Sequence, residues 1–348
     1  MARRDAQDGE DGFGPAGLDG WRHRTLAVIG LGQIGGSLAA AARPLVARVI
    51  GIDRDPEAVE HALQAGRIDT GSADGFELLV EADAVAVAVP VGAIPDVLEA
   101  ARPHLRPGVL VTDTGSVKEP VVDAARRLLP PGVAFAGGHP MAGTERWGPA
   151  AADPGLFRGR TWTLTPAPPW GEAAARPWIP LLEAVGARIL VMDPEEHDRH
   201  VALTSHLPLL VAAALAGTAR RGAAELPYLA QLVAGGFRDT TRVAGGHPAL
   251  GRDMLRANWP RVAPWLDALR EALDQLARAA ARGDGEALYR YLDETRRFRE
   301  AVLGAAGVTG AGGSTGGGAN PVNDTSTAGH DIDGNGETHV RRHTHPHP

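Results

Sequence analysis

The chain has 348 residues, 44% hydrophobic and 22% charged, with a formal net charge of −7 and no cysteine. That length accommodates two domains of ordinary globular composition, the missing cysteines exclude disulfides, thiol nucleophiles and thiolate-held metals, and the negative balance gives no general attraction to nucleic acid. The first dozen residues lack the apolar core of a secretory signal and no uninterrupted apolar run of membrane length follows, so the expectation is a cytoplasmic enzyme with no membrane partner.

Residues 1–22 are polar and Gly-rich and read as disordered. Thr25–Ile29 reads as a buried strand, Gly30-Leu-Gly32-Gln33-Ile34-Gly35 follows it, and Gly36–Ala42 continues as a helix. In such a strand, loop and helix the first glycine permits the tight turn, the second lets backbone approach a pyrophosphate, and the third lets the helix pack on the strand with its N-terminus facing the anion. Val49–Asp53 reads as a second strand, ending in a carboxylate 18 residues beyond Gly35, where an acidic group accepts hydrogen bonds from the adenosine ribose. Gly30, Gly32, Gln33, Ile34, Gly35, Asp53 and Arg54 are therefore the candidate cofactor-binding residues. A ribose phosphate would meet like charge at Asp53, so NAD is the expected cofactor, with NADP a weaker one because Arg54 stands alongside.

Ala84–Val89, Val109–Thr112, Val133–Ala136, Thr161–Leu164 and Arg188–Met192 read as further short strands separated by helical or loop segments. The predicted class is α/β, an N-terminal Rossmann-type, doubly wound and mainly parallel sheet over residues 23–193. After Asp193-Pro194 the strand signals stop, and helical patterns run over His197–Ala219, Leu226–Ala234 and Pro260–Ala281, predicting an all-helical domain over residues 194–303. From Gly304 to residue 348 the chain is Gly- and His-rich without periodicity and reads as a disordered tail. Its His339, His343, His345 and His347 are interleaved with prolines, and Asp331–Gly336 begins like a calcium loop but places Arg342 at the twelfth position, where a bidentate Glu is required. No metal site is expected.

In an open parallel sheet, ligands sit outside the carboxyl ends of the strands. There the chain carries Asp113-Thr-Gly-Ser116-Val-Lys118 and Gly137-Gly-His139-Pro-Met-Ala-Gly-Thr-Glu145. The helical half adds His197-Asp198, Ser205-His206-Leu-Pro208 and Gly235-Gly-Phe-Arg238-Asp239-Thr-Thr-Arg242, whose cations sit beside a Gly-Gly break. Plainer roles compete: His197 and Asp198 suit a helix start and cap, His206 a core position, Arg238 and Asp239 a mutual pair, and Lys118 a solvated loop charge. A non-catalytic dinucleotide sensor would keep the glycine loop and Asp53 without needing His139, Ser116 and Arg242 together. A serine hydrolase is set aside, because adjacent Ser205-His206 does not by itself present a hydroxyl to an imidazole and no GxSxG elbow is present.

At these motifs the chain resembles the TyrA-type prephenate and arogenate dehydrogenases of tyrosine biosynthesis. The resemblance runs from Leu26 to Phe298 and rests on GLGQIGGS, DTGSVK, GGHPMAGTE, HDRHVALTSHLP and GGFRDTTR in this order. It implies prephenate dehydrogenase activity, the NAD-dependent oxidative decarboxylation of prephenate to 4-hydroxyphenylpyruvate, on a Rossmann-type domain followed by a helical dimerisation domain, in a homodimer. Arogenate dehydrogenase, giving tyrosine, is the alternative. By the same resemblance His139 accepts the ring hydroxyl proton, Ser116 hydrogen-bonds near the hydroxyl and the nicotinamide, Arg242 holds the ring carboxylate, and Glu145 gates access; His197, Asp198 and His206 are substrate-binding or gating candidates. The reaction asks independently for one base and at least one cation, which a neutral imidazole and a planar guanidinium supply. Many relatives carry a histidine where this chain has Leu209 and a tryptophan where it has Gly251, positions near the substrate side chain in those relatives.

Overall fold

A computed structural model describes residues 17–144 and 146–305. The chain divides into one compact unit ending at Ala277 and a second beginning at Arg278. Part of the stretch expected to be disordered is helical: α1 (Leu18–Trp21) ends in a tryptophan that is 1% exposed, donates its indole N–H to the Pro177 carbonyl at 2.8 Å and packs on Trp178. One large apolar residue anchors this segment, and a compositional reading of residues 1–22 averages it away. Residues 1–16 and 306–348, with the His-rich stretch and the calcium-like sequence, lie outside the described residues.

The sheet is built from β1 (Thr25–Ile29), β2 (Arg48–Ile52), β3 (Thr70–Ser72), β4 (Ala84–Val87), β5 (Leu110–Asp113), β6 (Ala134–Pro140), β7 (Thr161–Thr165) and β8 (Arg188–Val191). Between them run α2 (Gln33–Ala42), α3 (Pro56–Gln64), α4 (Ile94–Ala101), α5 (Glu119–Leu128), α6 (Glu172–Ala175) and α7 (Ile179–Ala184). Strand order is β3-β2-β1-β4-β5-β6-β7-β8, all pairs parallel except β6 with β7. The order reverses between β1 and β4, which places the crevice of a doubly wound sheet at the glycine loop after β1. The central strands are buried on both faces, so they read as continuous apolar runs rather than alternations. Leu26, Val28, Leu38 and Trp162 belong to the core on one face, and Ala27, Ile29, Ile94 and Phe135 to the core on the other. Strand β3 escapes the sequence reading because its half-buried Thr-Gly-Ser carries no apolar signal.

Strand β6 is longer than the run Val133–Ala136 suggests. Ala134 to Ala136 pair in parallel with Leu110 to Thr112 of β5, whereas Gly137 to Pro140 pair antiparallel with Thr165 to Trp162 of β7. The Gly-Gly-His-Pro segment is thus strand, overhanging the end of β5.

In the helical half, Asp193 caps α8 (Pro194–Val201) by accepting the Glu195 N–H at 2.8 Å, with Pro194 at the first helical position. A single π-turn, Ala202–His206, leads into α9 (Leu207–Gly222). By length and composition the run Pro194–Gly222 could cross a membrane, although it is interrupted by charge; its first half carries buried His197, Asp198 and His206. The expected helix over Leu226–Ala234 shrinks to the single turn α10 (Leu229–Leu232), and Gly235-Gly236 opens α11 (Gly235–Thr241) rather than breaking a helix. Helix α12 (Pro248–Ala281) begins twelve residues before Pro260 and contains both Pro260 and Pro264. Both prolines are exposed, so water can take the carbonyls that their missing N–H groups leave free. In the second unit α13 (Gly285–Ala305) carries Asp293 paired with Arg296 and Arg297, and Gly304 lies in this helix rather than opening the tail.

Candidate active site

The loop after β1 has the shape of a nucleotide cradle. Gly30 adopts φ +94°, and a Cβ there would lie 2.4 Å from the Ala88 carbonyl oxygen; a Cβ on Gly35 would lie 1.8 Å from the Gly30 oxygen. Both positions are closed by the protein's own backbone, so α2 sits on β1 only because they are glycines. Gly32 differs, since nothing lies within 4 Å of its would-be Cβ, leaving open the face a pyrophosphate would approach. Asp53 follows β2 and accepts the Leu31 N–H at 2.6 Å and the Asp55 N–H at 3.0 Å. Its carboxylate braces the glycine loop and retains lone pairs for ribose hydroxyls. Arg54 is exposed beside it, and Ile34 packs partly into the core. The Gln33 amide donates to Thr144 Oγ1 at 2.7 Å while its Oε1 accepts the Thr144 N–H at 3.1 Å, tying the cradle to the segment that follows β6. The residues present therefore fit a dinucleotide.

A chain of polar groups meets the overhang of β6. His139 is half-buried, and its Nδ1 lies 2.8 Å from His197 Nε2, the rings edge to face. His197 Nδ1 lies 2.7 Å from Asp198 Oδ1, and both residues are 1% exposed. Asp198 also accepts the N–H groups of Lys118 at 2.7 Å and Glu119 at 2.9 Å, which open α5. Lys118, expected as a solvated charge, is completely buried: its ammonium is bonded to the Asp113 carboxylate and donates to the Gly138 carbonyl at 2.5 Å. Asp113 in turn accepts the N–H groups of Gly115 at 2.7 Å and Gly138 at 3.1 Å. A lysine is buried here because a carboxylate five residues earlier turns into the same space, which no hydropathy pattern reveals.

His206, on the π-turn, is also buried. Asn258 donates its side-chain amide to His206 Nδ1 at 3.0 Å and to the Asp198 carbonyl at 2.8 Å. His206 Nε2 has no hydrogen-bond partner among the described residues. Burial pushes the His206 pKa down to about 4, against the pull of Asp198 and of the Ser116 backbone. Burial likewise holds His139 well below the ordinary histidine value, reinforced by His197, Lys118 and His206. His139 is therefore neutral near pH 7, with a lone pair to offer. Burial also lowers Lys118, opposed by Asp113.

The structure joins His139, His197 and Asp198 directly and brings His206 to the same Asp198 through Asn258. Ser116 is half-buried on the loop between Asp113 and Lys118. Arg242 is exposed at the start of the turn Arg242–Gly245, which packs on α9. Two residues beyond that turn, His247 meets Trp147 of the segment after β6, ring centroids 5.5 Å apart. Arg238 and Asp239 pair with each other at the surface at 2.9 Å. Glu145 lies outside the described residues. Sequence reasoning missed Asn258, an isolated amide on a long helix with no motif around it, and undervalued Asp113 and Lys118.

A nucleotide cradle tied to the segment after a neutral histidine suits the removal of two hydrogens from a hydroxyl-bearing carbon, one as hydride and one as a proton. The protein is, in class, a nicotinamide-dependent dehydrogenase. The family described as prephenate dehydrogenase, nucleotide-binding domain, matches residues 38–191, and that described as prephenate dehydrogenase, dimerization domain, matches residues 193–294. A prephenate dehydrogenase of Bacillus subtilis is 36% identical over 281 residues, 80% of this chain and 76% of its own length. A cyclohexadienyl dehydrogenase of Zymomonas mobilis is 35% identical over 80% of this chain and 95% of its own. Among solved structures, prephenate dehydrogenase from Aquifex aeolicus in complex with hydroxyphenyl propionate and NAD+ has a TM-score of 0.73 at 29% identity, covering 80% of this chain and 98% of that one. Synechocystis arogenate dehydrogenase has a TM-score of 0.68 at 34% identity, covering 80% and 99%. The chain belongs to the prephenate dehydrogenase family. The first match begins at residue 38, beyond the glycine loop, so the cradle geometry is an independent observation.

Proposed function

We propose that this protein converts prephenate to 4-hydroxyphenylpyruvate by oxidative decarboxylation, with NAD as cofactor. The observation that carries the reading is His139, a neutral imidazole on a strand whose following segment is bonded to the nucleotide cradle. Bound NAD supplies the hydride acceptor. His139 takes the ring hydroxyl proton on the nitrogen turned away from His197, Nε2. Ser116 orients the hydroxyl, and Arg242 holds the ring carboxylate as a planar fork until it departs as carbon dioxide. Glu145 gates the site. Gly30, Gly32, Gln33, Ile34 and Gly35 cradle the cofactor, Asp53 accepts the ribose hydroxyls and favours NAD, and Arg54 beside it permits weaker use of NADP.

A cytoplasmic homodimer belongs to the same proposal. It is supported by the match to a dimerization domain and by exposed apolar side chains on the helical half, among them Leu203, Leu215, Trp259 and Trp265. One observation keeps arogenate as a second reading: a Cβ on Gly251 would lie 3.0 Å from Leu209 Cδ2, so the two positions at which this chain departs from many relatives face each other, and an altered tail pocket there could move preference either way. Neither an imidazole nor an indole is present there to read the substrate tail.

The test is absorbance at 340 nm with purified protein, NAD or NADP, and prephenate or arogenate, repeated with His139→Asn. Rapid NADH formation from prephenate, collapsing by about 10²–10⁴-fold in the variant, is expected. Preference for arogenate would replace the substrate, and no turnover with either despite NAD binding would overturn the enzyme reading in favour of a dinucleotide sensor.

A further inference from the structure

We infer that His197 and Asp198 are positioning residues that fix the tautomer of His139 and counter the charge it acquires, an inference that rests on the reading of His139 as the base. The direction of each hydrogen bond follows from the one before. Asp198 accepts from the Lys118 N–H, the Glu119 N–H and His197 Nδ1, at the N-terminus of α5. An ionised carboxylate with these neighbours is an acceptor, so His197 Nδ1 carries a hydrogen. With its hydrogen on Nδ1, His197 turns a bare Nε2 to His139 and accepts from His139 Nδ1 at 2.8 Å. Neutral His139 is left with its lone pair on Nε2. Main-chain donors of one helix therefore determine, through a carboxylate and a second imidazole, which nitrogen of the base is free.

Capping of their own helix does not account for this arrangement, because α8, on which both residues lie, is already capped by Asp193. The groups acting on His139 are His197 from α8, Lys118 from the start of α5 and His206 from the π-turn, all of which disfavour a second positive charge. Asp198, reached through His197, is the anion that offsets them. When the hydroxyl O–H bond breaks, its proton bonds to His139 Nε2, and the imidazolium keeps its Nδ1–H on His197. Asp198 stays ionised throughout, as orientation and charge compensation require.

The test uses the full chain with ¹⁵N-labelled histidine, assigning His139 among the 13 histidines by its loss in His139→Asn. Long-range ¹H–¹⁵N spectra at pH 7 are expected to show the Nδ1–H tautomer at His139. In Asp198→Asn, whose amide can donate to His197 Nδ1, His139 is expected to become the Nε2–H form, with kcat down by about 10²–10⁴-fold and KM for substrate and NAD within about threefold. An unchanged tautomer with kcat within about threefold would overturn the inference. His197→Gln and His197→Leu leave the cap of α5 intact: the glutamine, which keeps an acceptor for His139 Nδ1, should retain activity to within about tenfold, and the leucine should lose about 10²-fold or more. A fully active leucine variant would also overturn it. If the wild-type protein turned over no substrate, the activity reading would fail while the tautomer still decided this one.

Discussion

Acid should weaken the folded protein through His206, and the size of the effect follows from its surroundings. The ring is buried, its Nδ1 accepts from Asn258, and burial lowers its pKa from 6.5 to about 4. Above pH 6.5 the side chain is neutral whether the chain is folded or unfolded. Between 6.5 and about 4 the unfolded chain takes a proton that the folded chain refuses, so this contribution is fully present above 6.5 and is lost as pH falls. The full displacement corresponds to about 3 kcal/mol. His139, lowered by the same burial, acts in the same direction. His206→Gln removes the titrating ring. Urea unfolding followed by fluorescence of the seven tryptophans, at pH 7.5 and 4.5, should show the wild-type protein losing about 2–3 kcal/mol more than the variant over that interval. Equal losses in the two proteins would refute the reasoning.

Lys118→Met should destabilise the fold by about 3–5 kcal/mol in the same unfolding assay, because it leaves Asp113 charged and buried and deprives the Gly138 carbonyl of its donor; a loss below about 1 kcal/mol would show that the pair is not a desolvated one. The glycine loop separates binding from folding. Gly32→Ala, whose Cβ enters open space, should unfold like the wild-type protein but bind NAD at least about tenfold more weakly by titration. Gly35→Ala, whose Cβ would fall 1.8 Å from a backbone oxygen, should lose about 3 kcal/mol of stability before any ligand is added.

The parallel core was legible because strands covered on both faces leave runs such as Ala84–Val87, and the crevice was legible because only glycine fits at positions 30 and 35. Strand β3 and the overhang of β6 were not, since Thr-Gly-Ser and Gly-Gly-His-Pro owe their extended form to neighbouring strands rather than to their own side chains. Trp21 was hidden by the polar residues around it. At the site, His139 and His197 were nominated from sequence, but their bond spans 58 positions and depends on how α8 packs against α5 and β7. Lys118 shows the limit most clearly: a charged residue in the loop between β5 and α5 reads as solvated until the fold delivers Asp113 and the Gly138 carbonyl to the same place.

The division of β6 between two partners separates what evolution can vary from what it must hold. Its first residues are registered on β5 and its last on β7, with Thr163 donating its hydroxyl to the His139 carbonyl at 3.2 Å, so a slip of one residue would break both pairings and turn the imidazole to the opposite face. Beyond Met141, whose N–H still donates to the Thr161 carbonyl at 2.7 Å, Ala142 to Thr144 pair with neither strand. Substitutions there alter the segment bonded to the nucleotide cradle without disturbing the pairings of β6 that place His139. The strand thus fixes one imidazole in space while leaving the chain beyond it open to change.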